Sequence, residues 1–372
     1  MIQVIEARSK KEMKDFVKYP FSLYRESPFW IPPIIKDELD SFDPKINPVF
    51  KQAEARFFLA YKEGNMVGRV AAIVNWTEVR DKGLRKMRFG WMDFEDDREI
   101  SKALLETVAE IGRSHQLEYM EGPMGFSNLD KVGVLTEGFE HAGSMVTWYN
   151  YPYYAEHLSA RGFEKEKEYI ESRFPISNVD PGLFNRIQGV IRERYQLRPL
   201  NFTKSSEILP WVDEMFELFN NTYSSLSSFV PVSEAQKDYF KKKFIPFINP
   251  QYIKFVVDRN NRLIAFAIVM PSFSKALQKA RGRLFPTGIF HLLRARKKSK
   301  DILFYLIGIL PEYQKKGVTS IIFNEYYRII QERGIQMGYR TPELADNKAV
   351  QQIWKHFNPE VYKRRCTFKK AL

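Results

Sequence analysis

The stretch Ile302–Ser320, ILFYLIGILPEYQKKGVTS, constrains the fold of this chain most. An apolar run rich in branched residues stops at Pro311, and a polar turn with Gln314, Lys315, Lys316 and Gly317 follows. SIIFNEYYRIIQERG then reads as an amphipathic helix. The pattern predicts a buried strand, a turn and a helix whose first amides lack partners inside the helix. Those amides and the helix dipole favour an anion such as phosphate. Gly317 permits close backbone approach, and Lys315 and Lys316 add positive charge.

The chain has 372 residues, enough for two or three domains. No apolar run is long enough for a membrane helix, and the N-terminus has no block like a signal peptide. Cys366 is the single cysteine, so no internal disulfide is possible. These features predict a soluble, cytoplasmic protein. The formal charge of +13 points to an anionic partner: a nucleotide cofactor, an acidic carrier protein or RNA. The five histidines show no ligand spacing, so no metal is expected.

Residues 1–50 read as a lead-in helix around Ser9–Lys18 followed by a proline-rich wrap that tucks Phe29, Trp30 and Ile34 against a core. Two apolar runs flank Glu63-Gly64-Asn65, as in a β-hairpin. A strand at Trp91–Phe94, a long helix, a short strand, a helix from about Tyr153 and a further strand follow. The second half has helices near Ile208–Asn221 and Ser233–Phe244, then a hairpin turning at Asn260-Asn261. After it come the opening strand and helix, a strand, a short helix and a last strand. Both halves therefore follow one order, an internal repeat at domain scale. The expected division is 1–175, a linker helix within 176–200, and 201–372 with an insertion at 272–300. The expected class is α/β (α+β), with a mixed, mostly antiparallel sheet flanked by helices in each half.

Ile309, Pro311, Gln314, Gly317 and Val318 resemble the signature of the GNAT superfamily of N-acetyltransferases. Asn347, Ala349 and the helix to Trp354 resemble its second signature. The resemblance covers about Tyr252–Lys370, with a degenerate copy over Ala55–Arg173, and the layout is similar to tandem GNAT-like proteins. It implies that the amides of Gln314, Lys315, Lys316, Gly317, Val318, Thr319 and Ser320 cradle the pyrophosphate of acetyl-CoA or another acyl-CoA. It further implies that the backbone of Ile309 and Leu310 pairs with pantetheine, that Asn347 flanks that arm, and that the Ile309 amide stabilises an oxyanion. A small-molecule or peptide amine would then attack the thioester directly.

The chain departs from the family pattern at Thr319, where Gly or Ala is usual, and at Trp354, where many members place a tyrosine that protonates the thiolate. Glu343, Tyr339 and Tyr362 are the named substitutes. The first half has FEDDRE in place of the glycine turn, and an acidic turn repels pyrophosphate. That half is expected to be a scaffold or acceptor-side partner. The loop GPMGFSNLDKVGVLTEGFE reads as tight turns or as an acceptor pocket lined by Asn128 and Glu137. The insertion Ser272–Lys300 has nine Lys or Arg and no acid. It reads as a packed helical excursion or as a docking surface, with an acyl carrier protein or RNA ranked above a membrane. Two alternatives to an acyl-CoA N-acyltransferase stand beside it. One is a non-catalytic acyl-CoA-binding or interaction protein. The other is a transferase taking its acyl or aminoacyl donor from a carrier protein or tRNA.

Overall fold

The computed structural model describes residues 1–226, 229–243 and 248–372. The first half begins with a strand absent from the expectation, β1 (Ile2–Glu6), before helix α1 (Lys10–Leu23). Ser9 caps α1 in a reciprocal box with Glu12, which fixes where the helix starts. After α2 (Ile35–Ser41), the hairpin β2 (Ala53–Lys62) and β3 (Asn65–Asn75) forms as predicted. β4 (Lys86–Phe94), α3 (Arg98–Ser114), β5 (Tyr119–Gly122), β6 (Val134–Glu137), α4 (Tyr153–Ala160) and β7 (Glu164–Pro175) follow.

The connecting helix is α5 (Pro181–Tyr195), and the second half opens on another short strand, β8 (Arg198–Asn201). Helices α6 (Val212–Tyr223) and α7 (Glu234–Lys243) precede β9 (Ile253–Val257) and β10 (Leu263–Pro271). The expected end of the α7 helix at Phe244 lies outside the described residues. The insertion forms α8 (Ser274–Ala280) and α9 (Gly288–Lys298). The chain ends with β11 (Asp301–Ile309), α10 (Val318–Arg333), β12 (Met337–Arg340), β13 (Glu343–Leu344), α11 (Lys348–Trp354) and β14 (Glu360–Ala371).

The strands form one sheet in the order β1-β2-β3-β4-β5-β14-β7-β12-β11-β10-β9-β8, with β6 on β14 and β13 on β7. Read from either edge, the order repeats the two halves, so the internal repeat is also geometric. The centre is an exchange. β14 pairs with β5 of the first half, β7 pairs with β12 of the second, and β7 and β14 pair antiparallel with each other. Each exchanged strand also contributes core residues across the boundary. Phe174 of β7 packs with Phe304, Trp354 and Phe357, while Cys366 and Phe368 of β14 lie in the core of β3, β4 and α3. A cut at 175 therefore leaves each half with a strand in the other's sheet.

The insertion reaches back across the molecule. Leu277 and Ala280 pack on Ile31 and Ile34 of the proline-rich wrap. Gln278 donates to the carbonyls of Pro28 and Trp30, and the Ile35 amide donates to the Gly282 carbonyl.

Candidate active site

The site is built where β11 outruns its neighbour. β11 and β12 pair in parallel from Asp301↔Met337 to Phe304↔Arg340, and β12 then ends. The Thr341 amide and hydroxyl close the fork by donating to the carbonyls of Phe304 and Tyr305 at 3.3 Å each. Beyond it β11 runs on to Ile309 against β10 alone, with a register shift at Ile268/Val269 that leaves Tyr305 as the extra residue. The Leu310 amide donates to the Ile264 carbonyl at 2.9 Å. Antiparallel pairing alternates, so the polar groups of Ile309 and Ile307 point away from β10, into the gap that β12 vacates.

Two side chains already enter this gap. Tyr223, at the end of α6, donates its hydroxyl to the Ile307 carbonyl at 3.0 Å. Burial pushes that phenol up to about 12, against the opposing effect of the hydrogen bond. Gln314 donates Nε2 to the Ile309 carbonyl at 3.1 Å and ties the turn to the strand end. The Ile309 carbonyl is thus occupied, which leaves its amide as the group facing the gap.

The helix-start turn sits directly beyond. Lys315 (φ 52) and Gly317 (φ 75) both adopt the left-handed region, and Gly317 caps α10. A Cβ at Gly317 would meet Ile191 of α5 at 3.2 Å, so φ calls for glycine and a side chain would also crowd Ile191. Of the seven expected cradle amides, those of Gln314, Lys316 and Ser320 are used inside the turn. Among the described residues, the amides of Lys315, Gly317, Val318 and Thr319 remain as donors. The Lys316 ammonium lies over the rings of Tyr195 and Tyr313, at 5.1 and 4.8 Å. Lys315 is exposed and Thr319 half-buried.

The other predicted residues are dispersed. Asn347 caps α11, its Oδ1 accepting from the Val350 amide at 3.2 Å, and Trp354 is core, packed on Phe304 and Phe323. Glu343 is ion-paired with Arg340, whose guanidinium lies over Trp354. Tyr339 stands opposite Leu303, six residues or about 20 Å along β11 from Ile309. It packs against Tyr362, which Arg173 and His141 flank. Tyr339 of β12, Tyr362 of β14 and Arg173 of β7 meet at the strand exchange. Glu137 is exposed and paired with Arg364, whereas Asn128 bridges the halves by accepting from the Val230 amide at 3.2 Å.

The sequence reading missed the groups on the loop 123–133, which docks on β11. The Tyr305 hydroxyl donates to the Leu129 carbonyl at 3.3 Å, which docks the loop on β11. Asp130 follows, its Oδ2 accepting from the amide and hydroxyl of Ser127 at 2.8 and 3.1 Å. Burial pushes its carboxyl above the usual range, despite the Ser127 donors and Arg88. Burial likewise pushes the neighbouring Lys131 down and the Tyr305 phenol up, the latter helped by the charge of Asp130. Both Asp130 and Lys131 keep part of their surface open. A half-buried carboxylate with a raised pKa is suited to taking a proton.

The equivalent gap in the first half is closed. The chain turns in at Pro123, the Met124 amide donates to the Phe89 carbonyl at 2.8 Å, and a Cβ on Gly90 would lie 2.3 Å from the Met124 carbonyl oxygen. Asp97 caps α3 in place of a glycine turn and pairs with Lys62 at 2.7 Å.

No protein-family model matches the chain. It is 24% identical over 379 residues to the bacterial ceramide synthase of Caulobacter vibrioides, covering 100% of this chain and 98% of that protein. It is also 24% identical to Protein YghO of Escherichia coli, over 98% of this chain and 94% of that one. Among solved structures it resembles a tandem GNAT protein from the clavulanic acid biosynthesis pathway, with a TM-score of 0.57, 13% identity, and 100% and 98% of the two chains covered. A GCN5-related N-acetyltransferase from Sphaerobacter thermophilus matches at a TM-score of 0.53 and 7% identity, over 100% and 95%. No helix among the described residues is long and apolar enough to cross a membrane. With its paired halves, forked β11–β12 strands and glycine-capped α10, the chain has the tandem GNAT fold.

Proposed function

We propose that this protein is an N-acyltransferase that binds acyl-CoA in its second half and passes the acyl group to an amine held against the first half. The observation that carries this reading is the strand end Tyr305–Ile309, whose backbone faces an open gap beside the α10 turn. Free amides of the turn suit the pyrophosphate, and the gap suits the pantetheine arm. The donor supplies a thioester. The Ile309 amide faces where its oxygen gains charge. Asp130 takes the proton from the attacking amine, and the Tyr223 hydroxyl donates one to the departing sulfur. The name of the Caulobacter relative supports a long-chain amine as the acceptor. The test is thiol release with acetyl- and palmitoyl-CoA over a panel that includes sphinganine. Tight acyl-CoA binding with no release for any amine would move the assignment to a binding protein.

Two variants probe the roles. Tyr223→Phe frees the Ile307 carbonyl and removes the proton donor. We expect kcat to fall about 10- to 100-fold with little change in the Kd for acyl-CoA, read by single-turnover kinetics and calorimetry. An unchanged kcat would remove Tyr223 from the chemistry. Gly317→Val forces a branched residue into φ 75 and against Ile191. It should weaken acyl-CoA binding about tenfold, measured by calorimetry, while leaving the acceptor KM in place.

A further inference from the structure

The insertion between β10 and β11 is a built helix–turn–helix. The Ile289 amide donates to the Leu284 carbonyl at 2.7 Å, and a Cβ on Gly288 would lie 1.9 Å from the Arg283 carbonyl oxygen. Its inner face is satisfied, because Leu277, Ala280, Leu284 and Leu292 pack with Ile31 and Ile34. Its outer face is not. Phe285, at the tip of the turn, is 76% exposed, and Phe290 and Leu293 on α9 are 68% and 45% exposed. Among the described residues Phe285 and Phe290 are the two exposed phenylalanines of a chain that has 30. No acid lies anywhere in Ser272–Lys300. An open depression of about 640 Å³ beside the tip is lined by Lys275, Gln278, Lys279, Arg281 and His291.

We propose that this tip docks on an anionic phospholipid surface, with Phe285, Phe290 and Leu293 entering the interface and the cations behind them meeting lipid phosphates. The proposal stands on surface geometry and does not depend on the acyltransferase reading. Phe290 and Leu293 share one face of α9 with Arg294 and Lys297, which lie four and seven residues past Phe290. At the helical rise that is about 6–10 Å along the axis. The same distance separates the level of buried apolar side chains from the headgroups at a membrane surface. The apolar tip therefore reaches the acyl boundary when Arg294, Lys297 and Lys298 stand at the phosphates. RNA or an acidic carrier protein would also use the cations, but neither accounts for two exposed phenylalanines standing beside them, 76% and 68% open to solvent.

Co-sedimentation of the full chain with vesicles tests this. Vesicles of phosphatidylglycerol and phosphatidylcholine should bind it, vesicles of phosphatidylcholine alone should bind it far less, and added salt should weaken binding. Replacing both tip residues, Phe285→Ser with Phe290→Ser, should lower partitioning about tenfold or more with the thermal melt unchanged, because both are exposed. Arg281→Gln with Arg294→Gln and Lys297→Gln should remove the preference for the anionic lipid. The proposal is overturned by equal binding to both vesicle types or by unchanged binding of the phenylalanine variant. Retention by RNA or an acidic carrier protein in the absence of vesicle binding also overturns it.

Discussion

Glu78→Ala will lower the unfolding free energy by about 3–5 kcal/mol, because it removes the buried carboxylate that two buried cations share. Glu78 is fully buried in the turn between β3 and β4. It holds Arg88 Nε at 2.7 Å and Lys86 Nζ at 2.8 Å, and Lys86 also meets Glu121, which in turn holds Lys167 at 3.0 Å. Burial raises the Glu78 carboxyl, but Arg88 and Lys86 outweigh it and hold the group at about 2. Lys86 moves the other way. Burial and the charge of Arg88 push it down, and its two carboxylates do not fully restore it. In the variant Lys86 can shed its proton and limit the loss, whereas Arg88 cannot. A depressed carboxyl stabilises the fold above its unfolded pKa and loses that contribution as pH falls through its folded pKa. Wild-type stability should therefore drop between the ordinary Glu range and about pH 2, and the variant should lack that part of the slope. Urea titrations across pH decide it. A loss below about 1 kcal/mol would mean that water has replaced the carboxylate.

This same cluster explains one failure of the sequence reading. In KMRFGWMDF the charges at Lys86, Arg88 and Asp93 break the apolar alternation, so the strand was expected to start only at Trp91. The structure buries all nine residues because the charges are neutralised by Arg69 and Glu121 on neighbouring strands and by Glu78 in the β3–β4 turn. The edge strands β1 and β8 were missed for another reason. They have five and four residues, and RPLN carries a proline that only an edge tolerates. The glycine turn at Gly317 and the repeat order were legible because both are local patterns. Which partner β7 and β14 choose was not, because strand propensity says nothing about pairing across a chain. Tyr305 did carry a signal, a hydroxyl inside an apolar strand. Tyr223 and Asp130 carried none, and only the docking of the 123–133 loop on β11 brings the latter's loop to the second half. Of the residues named in place of the usual tyrosine, Tyr339 stands opposite Leu303, about 20 Å along β11 from Ile309, because similarity of type does not place a side chain.

Asp130→Asn should lower kcat about 10²- to 10⁴-fold while the Kd for acyl-CoA stays within about twofold. The carboxylate lies on a loop of the first half, whereas the donor amides lie in the second, so the two ligands can be separated by mutation. Asparagine keeps an oxygen that can accept from Ser127, so the turn should survive and the variant should fold. The sign of the pH dependence follows from burial. Because burial raises the Asp130 carboxyl, the base form appears only above the ordinary carboxylate range, and kcat should rise with pH through that shifted value. The same shift makes the ionised group a cost to the fold. Its stabilising contribution is present below the unfolded pKa and is lost as pH rises through the folded one. Asp130→Asn should therefore flatten the acidic limb of the rate profile and also remove a small fall in stability at higher pH. A structural role alone would change the melt and leave the limb in place. A kcat within twofold of wild type, with an unaltered limb, would place the base elsewhere, and Lys131, pushed down by burial on the same loop, would be the next group to replace.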